Sequence, residues 1–372
     1  MRILALVVDA FGGTGGISQY NRDLITAWAG LSTVEQIIVL PRFAASPFPP
    51  LDEKVVQRAP IASAARYAAR AVVHSRHRYD VVFCGHLHMM PLALMVARMS
   101  GAPVWLQIHG LEAWAARSGL MRWCVERADL VTSVSRHTRR LFLGWVEMEP
   151  TKVLILPNTV GDQFTANIDR RAAKEKLGLS GRQILLTVSR LAKTERYKGH
   201  AAVIRSLPEI ARTVSNVTYI IAGEGDLKGE LQELVRSLSL EHLVMFTGAM
   251  ARSELPTLYN AADAYLMPSS GEGFGIVYLE ALACGVPVIA GDSDGAHDPL
   301  HDGRLGALTD EEHLTLAVLR ALDPRCERLA EKRDHRAREV QRYFGRAVFT
   351  DQVRLATARF AGNSSMEAPL VS

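Results

Sequence analysis

The sequence predicts an α/β protein of two doubly wound domains, and three observations carry that expectation. The chain has 372 residues, long for one hydrophobic core and comfortable for two domains of ordinary size. Continuous apolar runs alternate with helical stretches in two successive series of similar size, as parallel strands buried on both faces and joined by helices would require. A glycine-rich loop separates the first apolar run from the first helical stretch, which is how a strand feeds a helix in such a sheet.

Ile3 to Val8 is a continuous apolar run. FGGTGGISQYNRDL follows, and Ile17, Tyr20, Leu24 and Trp28 recur at helical spacing, so a helix begins near Gly16. Strand, glycine loop and helix open a Rossmann-like unit. The series continues with strands at Gln36 to Leu40 and Val81 to Cys84, a helix from about Pro91 to Met99, and strands at Pro103 to Ile108, Leu130 to Ser133 and Lys152 to Leu156. Residues 159–181 are polar and broken by Gly161, Gly178 and Gly181, a linker with a short helix from Arg170 to Leu177. The second series has strands at Ile184 to Val188, Val217 to Ala222, Val244 to Thr247, Ala264 to Met267 and Pro287 to Ala290. Helices fill its gaps, for example Leu227 to Ser237 and Ser253 to Ala261. Domains are expected at 1–160 and 161–345. About Arg342 to Phe360 is expected as one basic amphipathic helix, and 363–372 as a disordered tail. Ligands of such sheets bind outside the carboxyl ends of strands, so a cleft between facing domains is the expected site.

Hydrophobic residues make up 48% and charged residues 22%, a soluble globular composition. The net charge of +4 is mild, and no aromatic-plus-basic stripe suited to stacking bases is present, so no nucleic-acid partner is expected. Basic residues are uneven, however. Arg66, Arg70, His74, Arg76, His77 and Arg78 cluster, and Arg136, Arg139 and Arg140 precede Leu141, Phe142, Leu143 and Trp145. Such faces read equally as a contact with an anionic membrane or as solvated helix surface. Cys84, Cys124, Cys284 and Cys326 are scattered in apolar contexts and read as buried free thiols of a reducing compartment. MRILALVVDA has too short an apolar core for a signal peptide, and Met89 to Met99 is too short to span a bilayer. The expected location is the cytoplasm or the inner face of the cytoplasmic membrane.

The chemistry concentrates in EGFGIVYLEALACGVPVIAG, residues 272–291. A glycine-rich loop that opens a helix offers free backbone N–H groups and the positive end of the helix dipole, which suits a phosphate. A carboxylate one to two turns further on, Glu280, suits hydroxyl groups, because it accepts two hydrogen bonds at once. Phosphate, ribose and sugar together describe a nucleotide-sugar. Arg190 and Lys198, in VSRLAKTERYKGH after a buried strand, supply cations for a leaving diphosphate; Lys193 and Arg196 lie close enough in sequence to be mistaken for them. The first loop, with Gly12, Gly13, Gly15 and Gly16, lacks G-x-G-x-x-G spacing and an acidic residue for a dinucleotide ribose. His109 ends a strand beside glycine, a place on a rim and not in a core. His86 and His88 end another, as acceptor contacts or as turn caps.

These segments resemble retaining glycosyltransferases of the GT-B fold, most closely glycosyltransferase family 4, over nearly the whole chain. The resemblance rests on E-x7-E at Glu272 and Glu280, R…K-G at Arg190 and Lys198-Gly199, the glycine loop, the H-G of His109, Glu224-Gly225 and Pro157-Asn158. It implies a C-terminal helix at 346–362 that crosses back to the first domain. It implies catalytic roles for His109, Glu272, Arg190 and Lys198, with Glu272 on the donor sugar and Glu280 on the ribose hydroxyls. Gly15, Gly16, Glu224 and the N–H groups of Phe274, Gly275 and Ile276 would complete donor binding. A UDP-, GDP- or ADP-sugar donor is implied as co-substrate, with no metal and no other cofactor, and a saccharide or lipid-linked saccharide acceptor of a bacterial polysaccharide or lipopolysaccharide pathway. The chain departs from the pattern where many members carry GGxxE, since it has DGAHDPLHDG with His297 and Asp298. Asp292-Ser293-Asp294 is a D-x-D, expected here as a turn and not as a metal site. Two other readings remain: a sugar-nucleotide epimerase of the same fold, and a non-catalytic nucleotide-sugar-binding protein.

Overall fold

The computed structural model describes residues 1–44, 47–48, 50–323 and 330–360. The chain divides into two compact units, residues 1–159 with the described residues from 347 onward, and residues 160–346. In the first unit the strands are β1 (Arg2–Val7), β2 (Gln36–Pro41), β3 (Val55–Gln57), β4 (Val81–Cys84), β5 (Val104–Ile108), β6 (Leu130–Ser133) and β7 (Val153–Ile155). They form one parallel sheet in the order β3-β2-β1-β4-β5-β6-β7. Its helices are α1 (Gly16–Ala29), α2 (Ala64–His74), α3 (Met90–Ser100), α4 (Gly119–Val125) and α5 (Arg136–Leu143). Side-chain caps set several starts: Ser118 accepts from Met121 N before α4, and Ser135 accepts from Thr138 N before α5.

The second unit repeats the plan with α6 (Arg170–Lys176), β8 (Gln183–Val188), α7 (His200–Thr213), β9 (Val217–Ala222), α8 (Lys228–Ser237), β10 (Val244–Gly248), α9 (Leu255–Ala261), β11 (Ala264–Met267), α10 (Ile276–Ala283), β12 (Val288–Gly291), β13 (Ala307–Thr309), α11 (Leu314–Leu322) and α12 (Ala330–Phe344). Its parallel sheet has the order β10-β9-β8-β11-β12-β13. In each sheet the strand order reverses once, between β1 and β4 and between β8 and β11. Chains leaving neighbouring strands there diverge to opposite faces, which opens a crevice at the carboxyl ends. The edge strands β3 and β13 are three residues each, too short to show a period in the sequence.

The tail differs from the single helix expected at 342–360. Gly345 separates α12 from α13 (Arg346–Ala358), with its N–H bonded to Gln341 O. The last helix packs on the first unit. Trp28 Nε1 donates to Thr357 Oγ1 at 2.9 Å, Phe349 packs edge-on against Tyr20, and Phe360 stacks on Trp105. Thus α1 and α13 cover one face of the seven-stranded sheet, while α2 to α5 cover the other with Tyr67, Met90, Leu94, Cys124 and Phe142. Residues 159–181 are also more than a linker, because Val160 and Phe164 are fully buried and Phe164 packs against Tyr259. No helix among the described residues is long and apolar enough to cross a membrane. Cys84, Cys124 and Cys284 are buried free thiols, and burial pushes Cys84 and Cys284 up to about 12. Cys326 and the expected tail at 363–372 lie outside the described residues.

Candidate active site

The strand order gathers residues that the sequence scatters. Arg190 and Lys198 follow β8, Glu224 follows β9, Glu272 follows β11 and Asp294 follows β12, and these four strands are neighbours in the sheet. All four turns therefore lie at one edge of it, on either side of the β8/β11 reversal.

The turn after β11 makes an anion-binding helix start. Gly275 has φ +85°, and a Cβ there would lie 2.3 Å from Tyr278 Cε2, so only glycine turns the chain into α10. The N–H groups of Phe274, Gly275 and Ile276 have no acceptor among the described residues. Three unsatisfied donors at the positive end of a helix are what a phosphate or sugar oxygen accepts from. Phe274 itself is buried against Phe344 of α12 at 5.8 Å between ring centroids, so its backbone and not its ring is offered.

Asp294 braces this turn. Its carboxylate accepts from Glu272 N at 2.7 Å and Ala296 N at 2.9 Å, and Gly295 N donates back to Glu272 O at 2.8 Å. The carboxylate is buried, which raises its pKa against those bonds. The second aspartate of the D-x-D is thus a structural brace. The departure next to it is a surface network, in which His297 Nε2 donates to Asp292 O at 2.8 Å.

Glu272 carries the unusual electrostatics. Burial pushes its carboxyl up to about 7; Lys198 and Arg190 pull it down, while Asp294 and Glu195 push it further up. Its Oε2 is buried without a hydrogen-bond partner among the described residues. A buried carboxylate with an open oxygen, flanked by cations, is poised to meet a polar group from outside the chain.

Arg190 and Lys198 are joined by a residue the sequence did not single out. Glu195 pairs with the Arg190 guanidinium through Oε1 and with Lys198 Nζ through Oε2 at 2.8 Å. Lys198 and Glu195 are both mostly buried, whereas the Arg190 side chain is 74% exposed. Lys193 and Arg196 belong to a separate surface network on Glu230, at 3.2 and 2.5 Å. The K-G glycine, Gly199, has φ +79°, and a Cβ would lie 2.4 Å from Pro268 O. That close approach holds the Lys198 turn against the chain leaving β11. Behind it, His200 Nε2 meets Ser189 Oγ at 2.8 Å, and burial lowers the imidazole to about 4, keeping it neutral beside Lys198.

Glu280 is buried inside α10 and does not face solvent. Tyr259 Oη donates to its Oε2 at 2.9 Å, and the Arg252 guanidinium stands 3.1 Å from Oε1. Neither partner was singled out in the sequence, since both lie about twenty or more residues upstream with no local signature. Glu224 stands at the mouth of β9, half exposed and paired with Lys228 at 2.9 Å.

The first unit holds the remaining predicted residues. Gly15 and Gly16 are exposed at the start of α1, and their N–H groups have no acceptor among the described residues. Arg22 pins the loop by donating to Ala10 O at 2.9 Å and Gly13 O at 2.7 Å. His109 follows β5, half buried, with Tyr20 edge-on at 5.2 Å. Its Nε2 lies 3.0 Å from Gly85 O; a carbonyl only accepts, so Nε2 carries the hydrogen and Nδ1 keeps a lone pair. Burial lowers its pKa against a neighbouring Glu112, whose Oε1 accepts from His109 N. A neutral imidazole with an open acceptor nitrogen suits a hydroxyl donor. His86 caps a turn, accepting from His88 N at 3.2 Å, and burial lowers it to about 4. The apolar residues beside Arg136, Arg139 and Arg140 turn inward: Phe142 is fully buried and Trp145 Nε1 donates to Ala113 O at 2.8 Å. That segment has no apolar outer face.

Comparison with known proteins accounts for both units. The profile described as Glycosyltransferase Family 4 matches residues 14–164, and that described as Glycosyl transferases group 1 matches residues 169–340. The chain is 37% identical over 254 residues to the GDP-mannose-dependent alpha-(1-6)-phosphatidylinositol monomannoside mannosyltransferase of Mycolicibacterium smegmatis, covering 63% of this chain and 66% of that protein. It therefore spans just under two thirds of that relative's length. It is 30% identical over 259 residues to the corresponding monoacylated-substrate mannosyltransferase of Corynebacterium glutamicum, covering 64% of this chain and 67% of that protein. Among solved structures, Anabaena HepE in complex with UDP superposes with a TM-score of 0.77 at 20% identity, covering 96% of this chain and 100% of that one. These structural likenesses show the fold, GT-B. With one profile on each unit and relatives of the same kind, the chain belongs to glycosyltransferase family 4.

Proposed function

We propose that the protein is a retaining, metal-independent glycosyltransferase that moves a hexosyl group from a nucleoside diphosphate to a lipid-linked acceptor. One observation carries this reading: the amide-rich start of α10, Lys198 and the half-buried Glu272 converge at the ends of the neighbouring strands β8 and β11. Three backbone donors and two cations supply the charge stabilisation that a departing diphosphate needs. Asp294 is committed to two backbone N–H groups, which argues against a metal-holding role for the D-x-D.

In the proposed step the acceptor oxygen bonds to the anomeric carbon on the face that the diphosphate leaves. The anomeric C–O bond breaks, its electron pair stays on the phosphate oxygen, and that oxygen takes the acceptor proton. Arg190 and Lys198 hold the diphosphate, Glu272 contacts the donor sugar, His109 Nδ1 accepts from a sugar hydroxyl, and Glu280 orients the ribose. Gly15 and Gly16 add backbone donors, and Glu224 borders the base.

The relatives named above use GDP-mannose and a phosphatidylinositol mannoside, so GDP-mannose is the first donor to test and a glycolipid the first acceptor. A glycolipid acceptor of that kind supports a location at the inner face of the cytoplasmic membrane. The free thiols are in keeping with that compartment.

The test is a thermal-shift panel with GDP, UDP and ADP and their hexose conjugates, each with chelator present. A ligand of the folded state raises the midpoint by mass action. One nucleotide should stand out, and its sugar should be transferred with retained anomeric configuration. Loss of turnover in chelator with rescue by manganese would overturn metal independence. Full transfer by Glu272→Ala would overturn the site, and isomerised donor without acceptor would make the protein an epimerase.

A further inference from the structure

Tyr197 belongs to the same turn after β8 as Glu195 and Lys198, and it is partly exposed. Its ring lies against the backbone of the turn after β11. A Cβ on Gly271 would stand 2.8 Å from both Tyr197 Cγ and Cδ2, and Ser270 N donates to Tyr197 O at 3.0 Å. Only glycine in front of Glu272 lets the ring come so close. The phenol is thereby fixed beside the residue that carries the open carboxylate.

The Tyr197 hydroxyl has no hydrogen-bond partner among the described residues. Other tyrosines of this unit differ. Tyr259, Tyr265 and Tyr278 each donate to a protein acceptor: Glu280 Oε2 at 2.9 Å, Val188 O at 3.2 Å and Met267 O at 2.9 Å. A phenylalanine would pack against Gly271 as well, so the fold has no use for the Tyr197 oxygen. Burial raises the phenol's pKa, and the charges of Glu272 and Glu195 raise it further against Arg190, so the hydroxyl keeps its hydrogen and can donate. Glu272, the charge that acts on it most strongly, has the complementary vacancy: its Oε2 has no donor among the described residues. An open donor beside an open acceptor matches an alcohol, which accepts from the first and donates to the second. An ionised phosphate carries no hydrogen. It could answer only the phenol, and beside Glu272 it would meet like charge.

We propose that Tyr197 and Glu272 together read one hydroxyl of the donor hexose, Tyr197 Oη donating to it and Glu272 accepting from it, so that Tyr197 sets sugar specificity. The inference rests on the nucleotide-sugar reading and deepens it. The donor must carry a free hydroxyl, and not hydrogen, at the carbon that faces this pair.

The probes are GDP-mannose, UDP-glucose or ADP-glucose, whichever the thermal-shift panel selects, with its monodeoxy analogues and the bare nucleoside diphosphate. Each is titrated calorimetrically into the full chain and into Tyr197→Phe. The parent should lose roughly tenfold or more in affinity for one deoxy analogue alone, because both polar groups are then left unpaired. Tyr197→Phe should lose roughly three- to tenfold on the intact nucleotide-sugar and little more on that one analogue, since the two changes remove the same contact. It should bind the nucleoside diphosphate as the parent does. No protein hydrogen bond is lost in the variant, so its melting midpoint should match the parent's. A clearly lower midpoint would mean that the hydroxyl serves the fold, and overturns the proposal. Equal weakening of nucleoside diphosphate and nucleotide-sugar overturns it too, because the hydroxyl then serves the phosphates. So does an added loss on every analogue alike. If none of the nucleotide-sugars binds the parent, the transferase reading falls and this inference with it. If the parent binds and transfers while Tyr197→Phe behaves identically, this inference alone falls.

Discussion

Glu272 binds a proton near neutral pH that it would release once unfolded. Its folded value is about 7 against an ordinary 4.5, with burial as the main cause. Between those values the folded state holds more protons than the unfolded chain, so this group's contribution to stability falls as pH rises and is fully unfavourable above pH 7. Glu272→Gln removes that penalty. It should stabilise the protein by on the order of 2–3 kcal/mol at high pH, with the gain shrinking towards pH 4.5. Denaturant unfolding at both ends of the window checks this; an equal difference at each pH would mean that ionisation is not the cause. Glu195 acts in a different way, by holding Arg190 and Lys198 together before any diphosphate arrives. Glu195→Gln loosens both cations and also removes a charge that repels phosphate. We expect kcat to fall roughly tenfold while nucleoside diphosphate binds at least as tightly. A raised KM with kcat unchanged would contradict that positioning role. Glu195 lies inside the recognised R…K-G stretch, yet nothing in the local pattern says that its two oxygens take different cations.

Elements place the site through glycines at close approaches. The turn that carries Lys198 touches the chain leaving β11 because Gly199 has no Cβ, and α10 starts where it does because Gly275 turns left-handed. Gly199→Ala combines a steric contact with a left-handed φ and should destabilise by about 2 kcal/mol or more, with loss of the nucleotide-induced thermal shift. Gly229→Ala is the matched control. It lies in α8 with open space around it, and should stabilise by about 0.5–1 kcal/mol. If both substitutions moved the midpoint alike, the contact with Pro268 would carry no weight. At this scale the sequence was legible for strands buried on both faces, whose apolar runs matched β1, β4, β6, β9 and β11 closely. It was not legible for β3 and β13, or for the break at Gly345 between two helices of similar composition.

At the scale of the whole molecule, the C-terminal helix belongs to the unit that begins the chain. Trp28, Phe83 and Trp105 form an edge-on aromatic cluster in the first unit, and Thr357 of α13 and Phe360 just after it cover it. Thr357→Val keeps the shape and removes the acceptor for Trp28 Nε1. Leaving that buried N–H unpaired should cost about 1–3 kcal/mol, visible as a lower first-unit midpoint. An unchanged midpoint would mean that the helix is not held by this bond.

The sequence by itself determined the repeated parallel architecture and the identities of Arg190, Lys198, Glu272, Glu280 and His109 as site candidates, because each belongs to a short local pattern whose spacing carries its chemistry. Only the tertiary structure decided that Asp294 braces the Glu272 turn, that Glu195 joins two cations, and that Tyr259 and Arg252 hold Glu280. Those relations join residues far apart in the chain. They follow from strand order and from which side of a helix meets the sheet, and neither is written in any one stretch of sequence.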